Sequence, residues 1–304
     1  MAFVDIEKVS HRLFDDPKVA KRLRKDYGLD SSLSDPKQLA AALVDSFGQR
    51  PALPCTADRE VSNDAVFRAA VRALASNSRA WSTFLRYEDR LEALLGGYSA
   101  TATDAAVLSG RVQIADIKAC LPGQSSTGDA TAIVKWAAIL SEVQNYYGRL
   151  RSLARGFHGQ GLSDIEIVPL VAGFLGSPSA RMQRRWPPPP PLQSWKTPGM
   201  GPVLASEFLR NLQWSAFKPD RHIKRLLGLW FRDVVKACRP RASELATLLD
   251  SRAKPLVDFL TFSLVGAAVT PDGHSLTEID NLVWALGAYV EKKEKESDTS
   301  YRLD

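Results

Sequence analysis

Apolar residues fall three and four positions apart along most of the chain, and nowhere do they alternate over a sustained run. DAVFRAAVRALASN (64–77), SRAWSTFLRYEDRLEALL (78–95), DATAIVKWAAILSEVQNYYGRLRSL (129–153) and SDIEIVPLVAGFLG (163–176) show the period, as do RASELATLLD (241–250) and SLTEIDNLVWALGAYVEKK (275–293). A strand repeats every two residues and could not collect these side chains on one face. The sequence therefore predicts an all-α fold. Ser163 and Asp164 suit the start of one helix, and Ser275 with Glu278 has capping-box spacing. No glycine-rich phosphate loop and no repeat of fixed period is present. The tail EKKEKESDTSYRLD (291–304) reads as a helix fraying into a solvated end.

With 304 residues, 45% hydrophobic and 24% charged, the chain can bury a sizeable core. Its net charge of +6 favours a polyanionic partner. Cys55, Cys120 and Cys238 are odd in number and far apart, a spacing that suits neither a disulfide framework nor a zinc or iron–sulfur site. The N-terminus MAFVDIEKVSHRLF lacks a long apolar signal core, and PLVDFLTFSLVGAAV carries Asp258 and is too short to span a bilayer. These features predict a cytoplasmic protein without a membrane partner.

Two stretches punctuate the chain. RPALPCTADREVSND (50–64) sets off an N-terminal helical segment, 1–60, from a helical unit over 61–220. RRWPPPPPLQSW (184–195) cannot be helix through its prolines and should run extended. It is a stiff surface connector, a brace for the segment that follows, or a ligand for a proline-binding module. That following segment, TPGMGPVLASEFLRNLQWSAFKPDRHIKRLL (197–227), is the most informative in the chain. Pro198-Gly199-Met200-Gly201 is a tight turn, and a helix should start near Pro202 with Val203, Leu204, Ala205, Phe208 and Leu212 on one face. Amides exposed at such a turn beside a helix N-terminus suit a phosphate. A second helix should start at about Asp220, its N-cap, with Arg221, Lys224, Arg225 and Arg232 on its outer face. Residues 181–225 hold nine Lys or Arg and two acids, a net +7 that accounts for the whole excess of the chain. A stripe of this kind is a solvated face or a nucleic-acid footprint.

A turn of this form between helices, with an Asp opening another helix, resembles the helix-hairpin-helix DNA glycosylase superfamily, which includes the endonuclease III and adenine glycosylase families. Their pattern runs roughly L-P-G-V-G-x-K-T-A, followed about twenty residues on by V-D-T-H-V-x-R. Here Pro198, Gly199, Gly201 and Ala205 match the first part, and Asp220, His222, Ile223 (for Val) and Arg225 the second. Gly199 and Asp220 are 21 residues apart, close to the family spacing. The match covers about a tenth of the chain.

The resemblance implies two helical lobes around a cleft, with the hairpin (195–213) on its rim and residues 221–304 packing against the N-terminal segment. It implies base flipping and hydrolysis of an N-glycosidic bond, with Asp220 stabilising the cationic sugar and orienting or deprotonating water. Val203 stands where lyase-active members carry the Schiff-base lysine, so strand-cutting lyase chemistry is not expected. Lys196, Thr197, Gly199, Gly201, Lys218, Arg221, His222 and Lys224 become candidate DNA contacts. His222 is otherwise an inert surface residue. Gln124, in the loop LPGQSSTG (121–128), is a candidate wedge or an ordinary loop residue; Tyr146 and Trp195 are candidates for a base-stacking wall or for the core.

No cofactor, metal or iron–sulfur cluster is expected, with a monovalent cation at the hairpin left open. The expected partner is double-stranded DNA containing a modified base, bound by a monomer. The base is open among alkylated purines, oxidised or deaminated bases and bulky phage bases, which imply repair or defence respectively. The alternative is a non-catalytic, sequence-independent DNA-binding module in which Asp220 is only a helix cap.

Overall fold

The computed structural model describes residues 3–291. The expected fraying tail lies outside the described residues from Lys292 onward.

The described residues are helical without a β-strand; one isolated bridge joins Leu53 and Trp214. The first three helices are α1 (Ile6–Phe14), α2 (Pro17–Tyr27) and α3 (Pro36–Ser46). Their N-caps are Asp5, Asp16 and Asp35, and Pro17 and Pro36 occupy the first helical position, where no N–H is needed. Next come α4 (Asn63–Ala75), α5 (Trp81–Leu85), α6 (Glu88–Leu94), α7 (Ala100–Leu108), α8 (Ile114–Ala119) and α9 (Ser126–Glu142). The chain continues through α10 (Tyr146–His158), α11 (Asp164–Gly176), α12 (Ala180–Arg185) and α13 (Pro202–Asn211). It ends with α14 (Arg221–Trp230), α15 (Arg232–Leu248), α16 (Lys254–Val269) and α17 (Leu276–Ala285), which runs into a π-helical turn, Leu286–Val290.

The helices pack as two neighbourhoods that share α16 and are not separated from each other. In one, α4 lies between α9 and α13, α7 and α8 cover α9, and α11 packs along α13. In the other, α1 and α3 pack against α17, and α15 pairs with α16. Val4 N–H donates to Val269 O at 2.9 Å, tying the start of the chain to the end of α16. Helix α11 joins the two through its contacts with α16; its residues Ile167 to Gly176 are all buried, so it is apolar all round.

The continuous period over 129–153 is broken into α9 and α10. Val143 is extended and Asn145 left-handed, at φ +50°. The Asn63 side chain causes the break: its amide donates to the carbonyls of Leu140 (2.8 Å) and Val143, and its oxygen accepts Tyr146 N–H at 3.2 Å. Ser163 forms the full capping box with Glu166, whereas at Ser275 the hydroxyl caps Glu278 N–H and the Glu278 carboxylate turns to His274 at 3.0 Å. The stretch 50–64 is pinned rather than slack: Arg59 donates to Tyr147 Oη at 2.9 Å and Gln213 Oε1 at 2.6 Å. The proline run loops back on α12, with Trp195 N–H on Gln183 Oε1 (3.0 Å) and Trp195 Nε1 on Trp186 O (2.9 Å).

Candidate active site

The site is built on the close approach of α11 and α13. A Cβ on Gly176 would fall 2.4 Å from Pro202 N, so only glycine lets the end of α11 meet the start of α13. Thr197 is buried there, and its N–H and hydroxyl both donate to Leu175 O at 3.0 Å. Thr197 to Met200 form a type II turn: Met200 N–H bonds Thr197 O at 3.3 Å, Pro198 takes the second position, and Gly199 takes the third with φ +71°. Glycine is required at 199 for a second reason, since a Cβ would lie 2.6 Å from Ala132 Cβ. Gly199 and Gly201 are exposed while Met200 is buried. The turn's carbonyls are engaged within the chain. Trp136 Nε1 reaches Pro198 O at 3.3 Å, and the Lys196 ammonium donates to Met200 O.

Helix α13 starts at Pro202, with Gly201 as its N-cap. Ala205, Phe208 and Leu209 face the core; Val203 and Leu204 are half-buried and line a cavity. The chain then runs without helix to Asp220. Ser206 Oγ holds this segment by donating to Phe217 O at 2.8 Å. Asp220 is the N-cap of α14, and its Oδ1 accepts His222 N–H at 2.8 Å and Ile223 N–H at 3.1 Å. Its Oδ2 makes no hydrogen bond or ion pair among the described residues.

The cavity has a volume of about 670 Å3. Asp220 and Val203 share it with the loop after α4 (Ser76–Trp81) and with Asp280 and Trp284 of α17. The loop is stiff. Arg79 is almost fully buried, pairs with Asp129 at 2.6 Å, and donates to Leu74 O (2.8 Å) and Ala75 O (3.0 Å) at the end of α4. Comparison with protein-family models, curated proteins and solved structures finds no match. The site is therefore read from its own geometry. Among the described residues, no group of three His, Cys, Asp or Glu is placed to hold a metal ion.

Four charges form the deep wall. Arg210 pairs with Glu207 and lies 3.2 Å from Asp280, and the Lys218 ammonium lies 3.7 Å from Glu207. Burial opposes ionisation of Glu207, but the Arg210 and Lys218 charges outweigh it and hold its pKa below the ordinary value. Burial wins at Asp280, which is pushed up to about 7 against the pull of Arg210 and Lys218 N–H. On the same cavity, burial pushes the His222 imidazole down, helped by the Arg221 and Arg225 charges and opposed by Asp220.

The structure brings Lys218, Asp220, Arg221, His222 and Lys224 together on one cavity wall. Several expected roles change. The basic stretch is partly internal: Arg210 is buried in ion pairs, Lys218 is mostly buried and turned to Ser76 and Glu207, and Arg225 reaches inward to Gly287 O at 3.2 Å. Lys224 is half-buried on the cavity wall rather than on an outer face. Tyr146 and Trp195 are core residues, 2% and 4% exposed, with ring centroids 6.1 Å apart, and neither lines the cavity. Gln124 is exposed away from the cavity lining; its loop instead supplies Pro122 O and Ser125 Oγ to Arg79. Sequence reasoning missed the Ser76–Trp81 loop and Asp280. The polar run SNSR after an apolar helix was a signal for the loop, but Asp280 had none.

Proposed function

We propose that the chain is a monofunctional DNA glycosylase, acting as a monomer on double-stranded DNA that contains a modified base and leaving an abasic site. One observation carries this reading: Asp220 caps its helix through Oδ1 alone, leaves Oδ2 without a hydrogen bond, and lines a cavity of about 670 Å3. A flipped base fits a recess of that size. The two packing neighbourhoods serve as the lobes around the cleft, and the turn at 198–201 with α13 serves as the DNA-binding hairpin. Its exposed glycine backbone and the Arg221 guanidinium grip phosphates beside the cavity.

In this mechanism the bond between C1′ and the base nitrogen breaks, the electron pair leaves with the base, and positive charge develops on the sugar. The Asp220 carboxylate stabilises that charge and takes a proton from the water that attacks C1′. Val203 lies on the same cavity and has no amine, so no Schiff base forms from the position where lyase-active members carry their lysine, and the strand stays whole.

The capping bonds to Oδ1 also favour a second reading, in which Asp220 only starts α14 and the protein attaches to DNA without chemistry. Duplex oligonucleotides carrying alkylated, oxidised, deaminated or bulky modified bases separate the two. The enzyme converts at least one of them to an abasic site, and Asp220→Asn abolishes the conversion. Binding without base release from any duplex supports the module instead. The active duplex also distinguishes a repair role from defence against modified phage DNA.

A further inference from the structure

Asp280 lies 60 residues beyond Asp220, on α17, and belongs to no motif. It is 2% exposed, yet its carboxylate makes two contacts, both through Oδ2. One is the Arg210 guanidinium at 3.2 Å; the other is the backbone N–H of Lys218, two residues before Asp220. Lys218 is held from other directions as well. Its ammonium donates to Ser76 Oγ at 2.9 Å, and its carbonyl accepts Asp220 N–H at 2.7 Å. The intervening Pro219 is buried and has its φ fixed by its ring. Between the Asp280 carboxylate and the Asp220 backbone, therefore, lie one hydrogen bond and a tight turn with little torsional freedom.

Burying a carboxylate beside a backbone amide costs free energy unless its partners are well placed. Arg210 offsets part of that cost, and Glu207 holds Arg210 from the other side. Glu207, Arg210 and Asp280 thus form a rigid block linking α13 and α17, and the segment leading to Asp220 hangs from it.

Building on the glycosylase reading above, we propose that Asp280 is the positioning residue for Asp220, holding it at the sugar through Lys218 N–H. The carboxylate acts here as a hydrogen-bond acceptor in a fixed place and touches no reacting atom. A displacement of the order of 1 Å at a reacting group is enough to cost about a hundredfold in rate. Loss of the tether should therefore show in the chemical step before it shows in DNA affinity.

The test uses the full chain, the duplex from which the parent releases base, and a duplex with a tetrahydrofuran abasic analogue as binding probe. Single-turnover base release and affinity for the probe are measured for the parent, Asp280→Ala and Asp280→Asn. Asp280→Ala is expected to release base at least tenfold more slowly with affinity within about twofold of the parent, a rate loss well inside that range. Asp280→Asn keeps an acceptor oxygen and should recover most of the rate. Should the Ala variant fail to fold, Asp280→Glu replaces it: the longer acid displaces Lys218 N–H and should slow release with affinity retained. A parent-like rate in the Ala or Glu variant overturns the proposal, as does an Asn variant as slow as the Ala variant. Parallel loss of rate and affinity assigns Asp280 a purely structural role and overturns it too. A parent that releases no base from any duplex overturns the glycosylase reading itself, a result distinct from all of these.

Discussion

The Lys218 ammonium donates to Ser76 Oγ at 2.9 Å, joining the segment before Asp220 to the end of α4. A lysine that reads in the sequence as a phosphate contact is in the structure a strut between two walls of the cavity.

Asp220→Asn separates catalysis from folding. The amide oxygen can accept the same two N–H groups, so stability should change by at most about 1 kcal/mol. On the glycosylase reading, base release should fall by about a hundredfold or more, because the charge proposed to stabilise the sugar cation is gone. On denaturing gels the parent's product strand should stay intact until alkali treatment. Borohydride trapping of a covalent adduct would assign a Schiff base to another amine, with Lys218 and Lys224 on the same cavity, and would overturn the monofunctional reading.

Lys218→Ala and Arg221→Ala should behave differently. Arg221 is exposed and opens α14, so its loss should flatten the salt dependence of DNA binding by about one phosphate contact and leave the melting temperature unchanged. Lys218→Ala removes a partner of buried Glu207 and should lower the melting temperature. Equal effects of the two variants on stability would contradict the inward placement of Lys218.

Gly199→Ala should destabilise the protein by more than the roughly 1–2 kcal/mol that a left-handed residue with a Cβ costs. Its Cβ would lie 2.6 Å from Ala132 Cβ and 2.9 Å from Leu74 Cδ2, so α9 must shift and the Leu74 side chain must repack as well. Gly201→Ala meets nothing within 4 Å and should be tolerated. Denaturant unfolding of the two variants checks the contrast.

Asp129→Ala leaves the Arg79 guanidinium, 3% exposed, without its carboxylate. Removing one partner of a buried pair costs about 3–5 kcal/mol. The same change frees the Ser76–Trp81 loop, so amide exchange after α4 should quicken along with the loss of stability. A variant as stable as the parent would show that the pair does not hold the loop.

Asp280 gives stability a defined pH dependence. Its ordinary value is 3.8 and burial pushes it up to about 7 in the folded chain. Between these values the unfolded chain has released the proton that the folded chain keeps. The Asp280 contribution is therefore greatest below the unfolded value and declines as pH rises to about 7. Asp280→Asn cannot ionise, so its stability relative to the parent should climb from about pH 4 to about pH 7 and level off above. A constant difference across that window would show that Asp280 is ionised in the folded protein throughout.

Much of the local structure was legible in the sequence because its causes lie within a few residues. The helical period, the Ser163 box, the turn at Pro198-Gly199 and the Asp220 cap each follow from neighbours three or four positions away. Charge was the misleading part. Composition counts Arg210, Lys218 and Arg225 as surface cations, but Glu207, Asp280 and backbone carbonyls drew them inward. A long side chain turns inward when partners reached through tertiary packing offset its desolvation, and sequence spacing does not encode those partners. The break after Glu142 arose the same way, from Asn63, whose amide satisfied carbonyls some eighty residues on. Periodicity and short-range hydrogen bonds determined which segments became helices and where Asp220 and the turn sat on them. Only the packing of α4, α13, α14 and α17 decided that Asp220 shares a cavity with Val203, the Ser76–Trp81 loop and Asp280, because that meeting depends on contacts between residues far apart in the chain.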